Sequence, residues 1–508
     1  MHIDWNATAY DRAESRPLAT TRRKPVYRLR NIALLGVVVG GAWVGLTVHR
    51  ALTATPGRAV DYQQRLVDLA ESFQKDAAAE PNAWPLLLSA IERLDSAERA
   101  ALAAAGGADA RPDDWPSGID WPLDFRVLVP PVGPEAVRER TRAAMEDLSR
   151  AGLSDLLAEL ARSRRVVRPR QEGRLIEIPL SELARMRQLA RACVARMYLA
   201  HSAGDHGDQV AAFEQALAVG RVACMQSTLL DRLTGIAIMA LATGELRRQL
   251  TEAPPEARTG RDLLGALNRQ AALVPPFSLP LEGERLMALD AVQWSYTDNG
   301  HGDGRLILNK ADSLGGGGAV GGWTSHPIVN VLGLLYPGKA EATAKVNEYY
   351  DNLIALAALP RRERAGAAFD PDRFVGSLPN GHVVLRPLVA ATGKALLADD
   401  RMTVEISGTR VMLALEIWRA ERGDYPASLE DLVPSVLAAV PVDPFSGRAY
   451  GYRRLAGGED PFGRRYLLSS VGPDAENKGG VGSTASEGKA DREAGSAYIL
   501  NSPREDPR

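Results

Sequence analysis

The sequence predicts a mainly α, membrane-anchored protein with one N-terminal transmembrane helix, an α-helical ectodomain and a small C-terminal α+β module. Three observations predict it. Residues 31–48, NIALLGVVVGGAWVGLTV, are an uncharged apolar run. Apolar residues then recur at helical spacing over most of the chain that follows. Finally, a helical stretch gives way to GDYPASLEDLVPSVLAAVPVDPFSGRAYGY, Gly423 to Tyr452, and then to a short strand-like segment, RRYLLSSVG.

The apolar run is the first element. At 1.5 Å per residue, about 20 residues cross a bilayer core of about 30 Å. A cleaved signal peptide has an apolar region of about 7–15 residues, shorter than this one. The run therefore reads as an uncleaved transmembrane helix over 31–50. Arg22, Arg23, Lys24, Arg28 and Arg30 precede it, whereas Arg50 and Arg58 follow it. Basic residues stay on the cytoplasmic side. This places a polar tail, 1–30, in the cytoplasm and the bulk of the chain outside. In a bacterium that means the inner membrane and the periplasm.

Composition narrows the function classes. The chain has 508 residues, 45% hydrophobic and 24% charged, with a net charge of −2. That is a folded, near-neutral polypeptide, with no field to recruit nucleic acid. Two cysteines, Cys193 and Cys224, exclude a disulfide framework and a cysteine-rich zinc module. A hairpin turning at Gly204 would leave them about 13 Å apart. A disulfide needs Cα atoms within about 7 Å, so two buried thiols are expected.

The α-helical extracytoplasmic domain is predicted over 51–395. DYQQRLVDLAESFQKDAAA sets Leu66, Leu69 and Phe73 on one face, and Pro81 and Asn82 end it before AWPLLLSAIERL. Residues 106–134, rich in Gly, Pro, Asp and Trp, read as irregular, with a helix resuming at Glu135. Ser181 is a candidate N-cap for a stripe of Leu183, Met186, Ala190, Cys193, Met197 and Ala200. After Gly204, Asp208 is the candidate cap for Val210, Phe213, Leu217 and Gly220. This pair resembles a single tetratricopeptide-type unit, with no repetition of about 34 residues around it. A third helix is expected to pack through Leu230, Leu233, Ala237 and Leu241. Two further helices, LEGERLMALDAVQWSY and AEATAKVNEYYDNLIALAAL, flank a glycine-rich segment that reads as a mobile surface loop.

Familiar catalytic and metal motifs are missing or incomplete. TGKA at Thr392–Ala395 lacks the upstream glycine and the following Ser or Thr of a phosphate loop. His201 and His206 do not share a helix face. Asn299–Lys310 ends in Lys310 where a calcium-binding hand needs glutamate. Glu282, Glu284 and Asp290 read as solvated helix-surface carboxylates beside Arg285. There is no G-x-S-x-G elbow and no H-E-x-x-H.

The C-terminal stretch resembles the soluble region of the major pseudopilin of type II secretion systems. The matching residues are Gly423, Tyr425 and Pro426; Leu429 and Leu432; Pro441, Asp443, Pro444, Phe445 and Gly447; Tyr450 and Tyr452; Ser470, Gly472 and Asp474. The likeness covers about 85 residues within a predicted module at 396–481, followed by a flexible tail at 482–508. In physical terms, Gly423 stops a helix with φ > 0, and Ser428 caps a short helix bearing Leu429 and Leu432. The prolines preset turns, and Tyr450 and Tyr452 share one strand face. The family's basic leader and its glutamate early in the hydrophobic helix are absent here, so the chain does not read as a processed pilus subunit.

The resemblance also implies Ca2+ in the loop SSVGPDAENKGG. Asp474 matches the family's first aspartate, and Glu476 and Asn477 are oxygen donors by type. Ser483 and Thr484 stand where paired aspartates are expected, so a solvated turn is the alternative. The function these features imply is that of a non-enzymatic envelope protein that binds or scaffolds a protein partner, beside a secretion or pilus-like assembly. An extracytoplasmic hydrolase with dispersed acids in the helical domain is the alternative.

Overall fold

A computed structural model describes residues 26–57, 60–104, 135–298, 303–311, 327–364, 366–379, 382, 392–456, 459–460, 463–472 and 498–501. The described chain is mainly helical. Helix α1 (Val26–Leu52) carries the apolar run. Its Leu34–Leu52 portion is long and apolar enough to cross a membrane, and none of it is buried against the rest of the chain.

Helix α2 (Tyr62–Ser72) starts at Asp61, whose carboxylate accepts the Gln64 N–H at 3.0 Å. Its buried face is not the predicted one. Phe73 is exposed, whereas Gln63 and Ala70 are buried, and Gln74 just beyond the helix is buried too. The two amides go inside because the backbone satisfies them. Gln63 donates to the Gly173 carbonyl at 3.2 Å, and Gln74 accepts from Val166 N–H at 2.7 Å.

Helices α3 (Trp84–Ala104), α4 (Glu135–Arg150) and α5 (Leu153–Arg162) lead to the central layer of α6 (Ser181–Ala203), α7 (His206–Cys224) and α8 (Leu229–Glu252). Two expected caps move. Ser181 is already helical, after Leu180 at the N-cap position. Asp205, not Asp208, caps α7, accepting the Asp208 N–H at 3.0 Å. Asp208 is drawn away by Arg196, which forks onto its carboxylate and also reaches Ser154 and Gln215. The α6 stripe from Leu183 to Ala200 is buried as expected, and Gly204 turns the chain at φ 73°.

Helix α8 keeps half of its predicted face: Leu233 and Leu241 pack on the core, whereas Leu230 and Ala237 are exposed. Leu230 is 59% exposed, while Asp231, Arg232, Thr243 and Glu245 are buried. The helix is packed between α7 and α15 (Thr392–Arg422), so it has two interior sides. Its inward charges are paired: Arg232 with Asp399, Arg247 with Glu405 and Glu245 with Arg248. Apolarity therefore does not mark the buried side. Gly220 and Gly235 bring α7 and α8 close. A Cβ at Gly235 would lie 2.4 Å from Cys224 Sγ and 2.6 Å from the Gly220 carbonyl.

One apolar core runs from Ala83 to Leu500, joining α3, the central layer, α9 (Ala257–Ala271), α15 and the C-terminal strands. Arg221, fully buried in it, donates to the carbonyls of Leu160 at 2.8 Å and Ser163 at 2.7 Å, closing the end of α5. A second core joins α10 (Ser278–Ser295) to α11 (Leu308–Ala311), α12 (Lys339–Ala358) and α14 (Pro371–Ser377), with α13 (Arg361–Arg364) in the connection. Tyr349, fully buried in it, meets Phe369 edge-on and Phe374 at a tilt.

The C-terminal sheet is antiparallel, in order β1 (Gly451–Arg454), β2 (Tyr466–Ser470), β3 (Tyr498–Ile499). Gly451 faces Ser469, and Arg454 faces Tyr466. Gly423 ends α15 at φ 85°, and Ser428 and Asp431 form a capping box on the 3-10 turn Leu429–Leu432.

Candidate functional site

A buried polar cluster surrounds the first turn of α8. Thr228 caps the helix, accepting the Asp231 N–H at 3.1 Å and donating to Asp231 Oδ2 at 2.7 Å. Arg168 grips the same carboxylate with two N–H groups, at 3.0 and 2.7 Å, and lies 5.0 Å over the Trp84 ring. Glu284 reaches across from α10 and accepts the Leu229 N–H at 2.9 Å. Two carboxylates thus meet the positive end of one helix dipole. Burial pushes the Glu284 carboxyl above its ordinary range, and the nearby Asp231 charge adds to the rise.

Amides brace the floor of the cluster. Gln226 accepts the Arg168 N–H at 3.0 Å and donates to the Val166 and Val222 carbonyls. A cavity of about 20 Å³, lined by Gln63, Leu66, Arg168, Ile178 and Ser227 among others, opens beside it. That is room for about one water. Both oxygens of Asp231 are engaged, so the arrangement ties α2, α8, α10 and the 163–178 segment together. It offers no aligned nucleophile and base.

Asp474, Glu476 and Asn477, the sequence candidates for Ca2+, lie outside the described residues. So do Gly315–Gly318 and most of the glycine-rich segment. Among the described residues, no group of three His, Cys, Asp or Glu could hold a metal. Glu284 and Asp290 correct an expectation, because neither is a solvated surface carboxylate. Asp290 is buried and accepts the Leu175 N–H at 2.8 Å. Glu282 and Asp351 share Arg285. His201 contacts Gln209 at 3.1 Å through Nδ1, while His206 is exposed. Cys193 and Cys224 are separate buried thiols, pushed by burial to about 12 and about 11.

The C-terminal module holds buried acids of its own. Glu416 is 2% exposed; it accepts the Tyr425 hydroxyl at 2.9 Å and the Arg419 N–H at 2.8 Å. The Tyr425 and Tyr466 rings lie 5.0 Å apart beside it. Burial raises the carboxyl, and Arg419 and Tyr425 partly offset the rise. Asp443 binds the proline turn to the sheet, accepting from Phe445 N–H, Ser470 Oγ–H and Val471 N–H, each at 3.0 Å.

Family models, curated proteins and solved structures give no match to this chain.

Sequence reasoning missed the α8 cluster. The Thr228-x-x-Asp231 spacing is a helix-start signature and could have marked one half of it. Arg168 and Glu284 come from distant segments, and nothing local announces them.

Proposed function

We propose that this chain is a single-pass protein of the bacterial inner membrane, with its N-terminus in the cytoplasm and its bulk in the periplasm. Its work there is to bind or scaffold a protein partner beside a secretion or pilus-like assembly. The observation that carries the reading is the outward surface of α1. Leu34, Leu35, Val37 and Trp43 are 65%, 66%, 74% and 66% exposed. A row of large apolar side chains left without a protein neighbour is suited to lipid.

The pseudopilin-like reading of the C-terminal module draws support from its turn chemistry. The helix stop at Gly423, the capping box, the Asp443-centred turn and the antiparallel pair follow in the order that the resemblance implies. The hydrolase reading has no such support, since Asp231, Glu284 and Asp290 are committed to backbone and guanidinium partners.

Cross-linking of the tagged full-length chain in intact membranes tests the proposal. Secretion or pilus-assembly components should co-purify with it and not with a version retaining only residues 1–60. Equal recovery with both would contradict a scaffolding role for the ectodomain.

A further inference from the structure

The 3-10 helix Pro327–Leu335 lies against the C-terminal end of α1. Its sequence, PIVNVLGLL, continues into Tyr336-Pro337-Gly338 without a charge. One row faces inward. Asn330 is buried, accepting the Asn309 N–H at 3.1 Å and donating at 3.3 Å to the Ala51 carbonyl in the last turn of α1, which also accepts the Ala54 N–H at 3.4 Å. Gly333 sits so close to Leu306 that a Cβ would lie 2.0 Å from its carbonyl oxygen. Tyr336 packs on the second core. With three residues per turn, Leu332 and Leu335 share another face, and they are 53% and 81% exposed.

We propose that this face is a second membrane contact, immersed in the outer-side leaflet beside α1; the inference rests on the anchored reading given above. Continuity with the span decides the occupant. Thr47, Val48 and Ala51 are the partly covered positions of the apolar window Leu34–Leu52, and they fall on one side of its last turns. A segment packed there stands beside residues that lie within about 8 Å of the window's end. If that window spans the bilayer, the flank of the 3-10 helix enters the lipid boundary with it. Its backbone suits this position, because the 3-10 bonds are internal and Asn330 ties the segment to the last turn of α1. The ectodomain is then seated on the bilayer at two points, which fixes its tilt.

Spin labels on the full chain in lipid nanodiscs test this. Single cysteines are introduced as Leu335→Cys, Leu332→Cys, Val38→Cys within the span and Ala237→Cys on the exposed side of α8. The native thiols are buried and stay unlabelled. Labels at 335, 332 and 38 should relax more with oxygen than with a water-soluble nickel chelate, by several-fold relative to the label at 237. If 335 and 332 behave like 237 while 38 remains in lipid, the second contact is overturned and the anchor stands. If 38 also behaves like 237, the anchor itself falls. Shielding of 335 from both agents overturns the lipid contact. If the shielding comes with broadening that grows with protein loading, a second copy is the occupant.

Discussion

At the residue scale, Asp443 holds the C-terminal module together. Its carboxylate is the shared acceptor for the turn at Phe445 and the strand end at Ser470–Val471. Asp443→Ala leaves two buried donors and one part-buried donor unpaired, a loss of about 2–4 kcal/mol. Asp424→Ala, which breaks a half-exposed pair with Arg454, should cost about 0–1 kcal/mol. Urea denaturation of both variants checks the difference, and equal midpoints would deny Asp443 this role. Glu416 gives a pH signature. Its carboxyl is raised by burial, so the folded chain keeps a proton that the unfolded chain has released. That contribution is fully present below the unfolded value of about 4.3 and is lost as pH rises towards the folded value. The stability of the parent relative to Glu416→Gln should therefore fall as pH is raised from 4 to 7. A difference that stays constant over that range would contradict the assignment.

At the scale of elements, the crossing of α7 and α8 depends on two glycines. Gly235→Ala drives a Cβ into Cys224 and the Gly220 carbonyl, and about 2–3 kcal/mol of destabilisation is expected. Gly244→Ala, in the same helix with open space around it, should instead stabilise by about 0.5–1 kcal/mol through helix propensity. Opposite shifts in thermal midpoint are the expected result, and two shifts of the same sign would refute the close crossing. These helices also show what was legible in the sequence. The stripe from Leu183 to Ala200 was readable because α6 buries apolar side chains at regular spacing. The stripe through Leu230 and Ala237 misled, because α8 turns Asp231, Arg232 and Glu245 inward, where Arg168, Asp399 and, from within the helix, Arg248 neutralise them. The face of α2 was lost for the same reason, since Gln63 and Gln74 are buried by backbone carbonyls and N–H groups far along the chain. Gly423 and the capping box were readable because they are local. The cluster around Asp231 was not, because its charge balance is assembled from α8, α10 and the segment holding Arg168.

At the scale of the molecule, the C-terminal strands share an apolar core with α3, α6–α9 and α15, so the turn-rich module is built into the helical body. Asn330, bonded to the Ala51 carbonyl, links that body to the end of α1. If α1 spans a membrane, as proposed, a body tied to its end is suited to presenting a surface to a partner. All of this depends on which side of the membrane the body lies. Paired reporter fusions behind Arg508 measure it most directly, using alkaline phosphatase, which is active only outside the cytosol, and a green fluorescent protein that matures only inside. The account predicts an active phosphatase and a dark fluorescent fusion; a bright fluorescent fusion with an inactive phosphatase would contradict it.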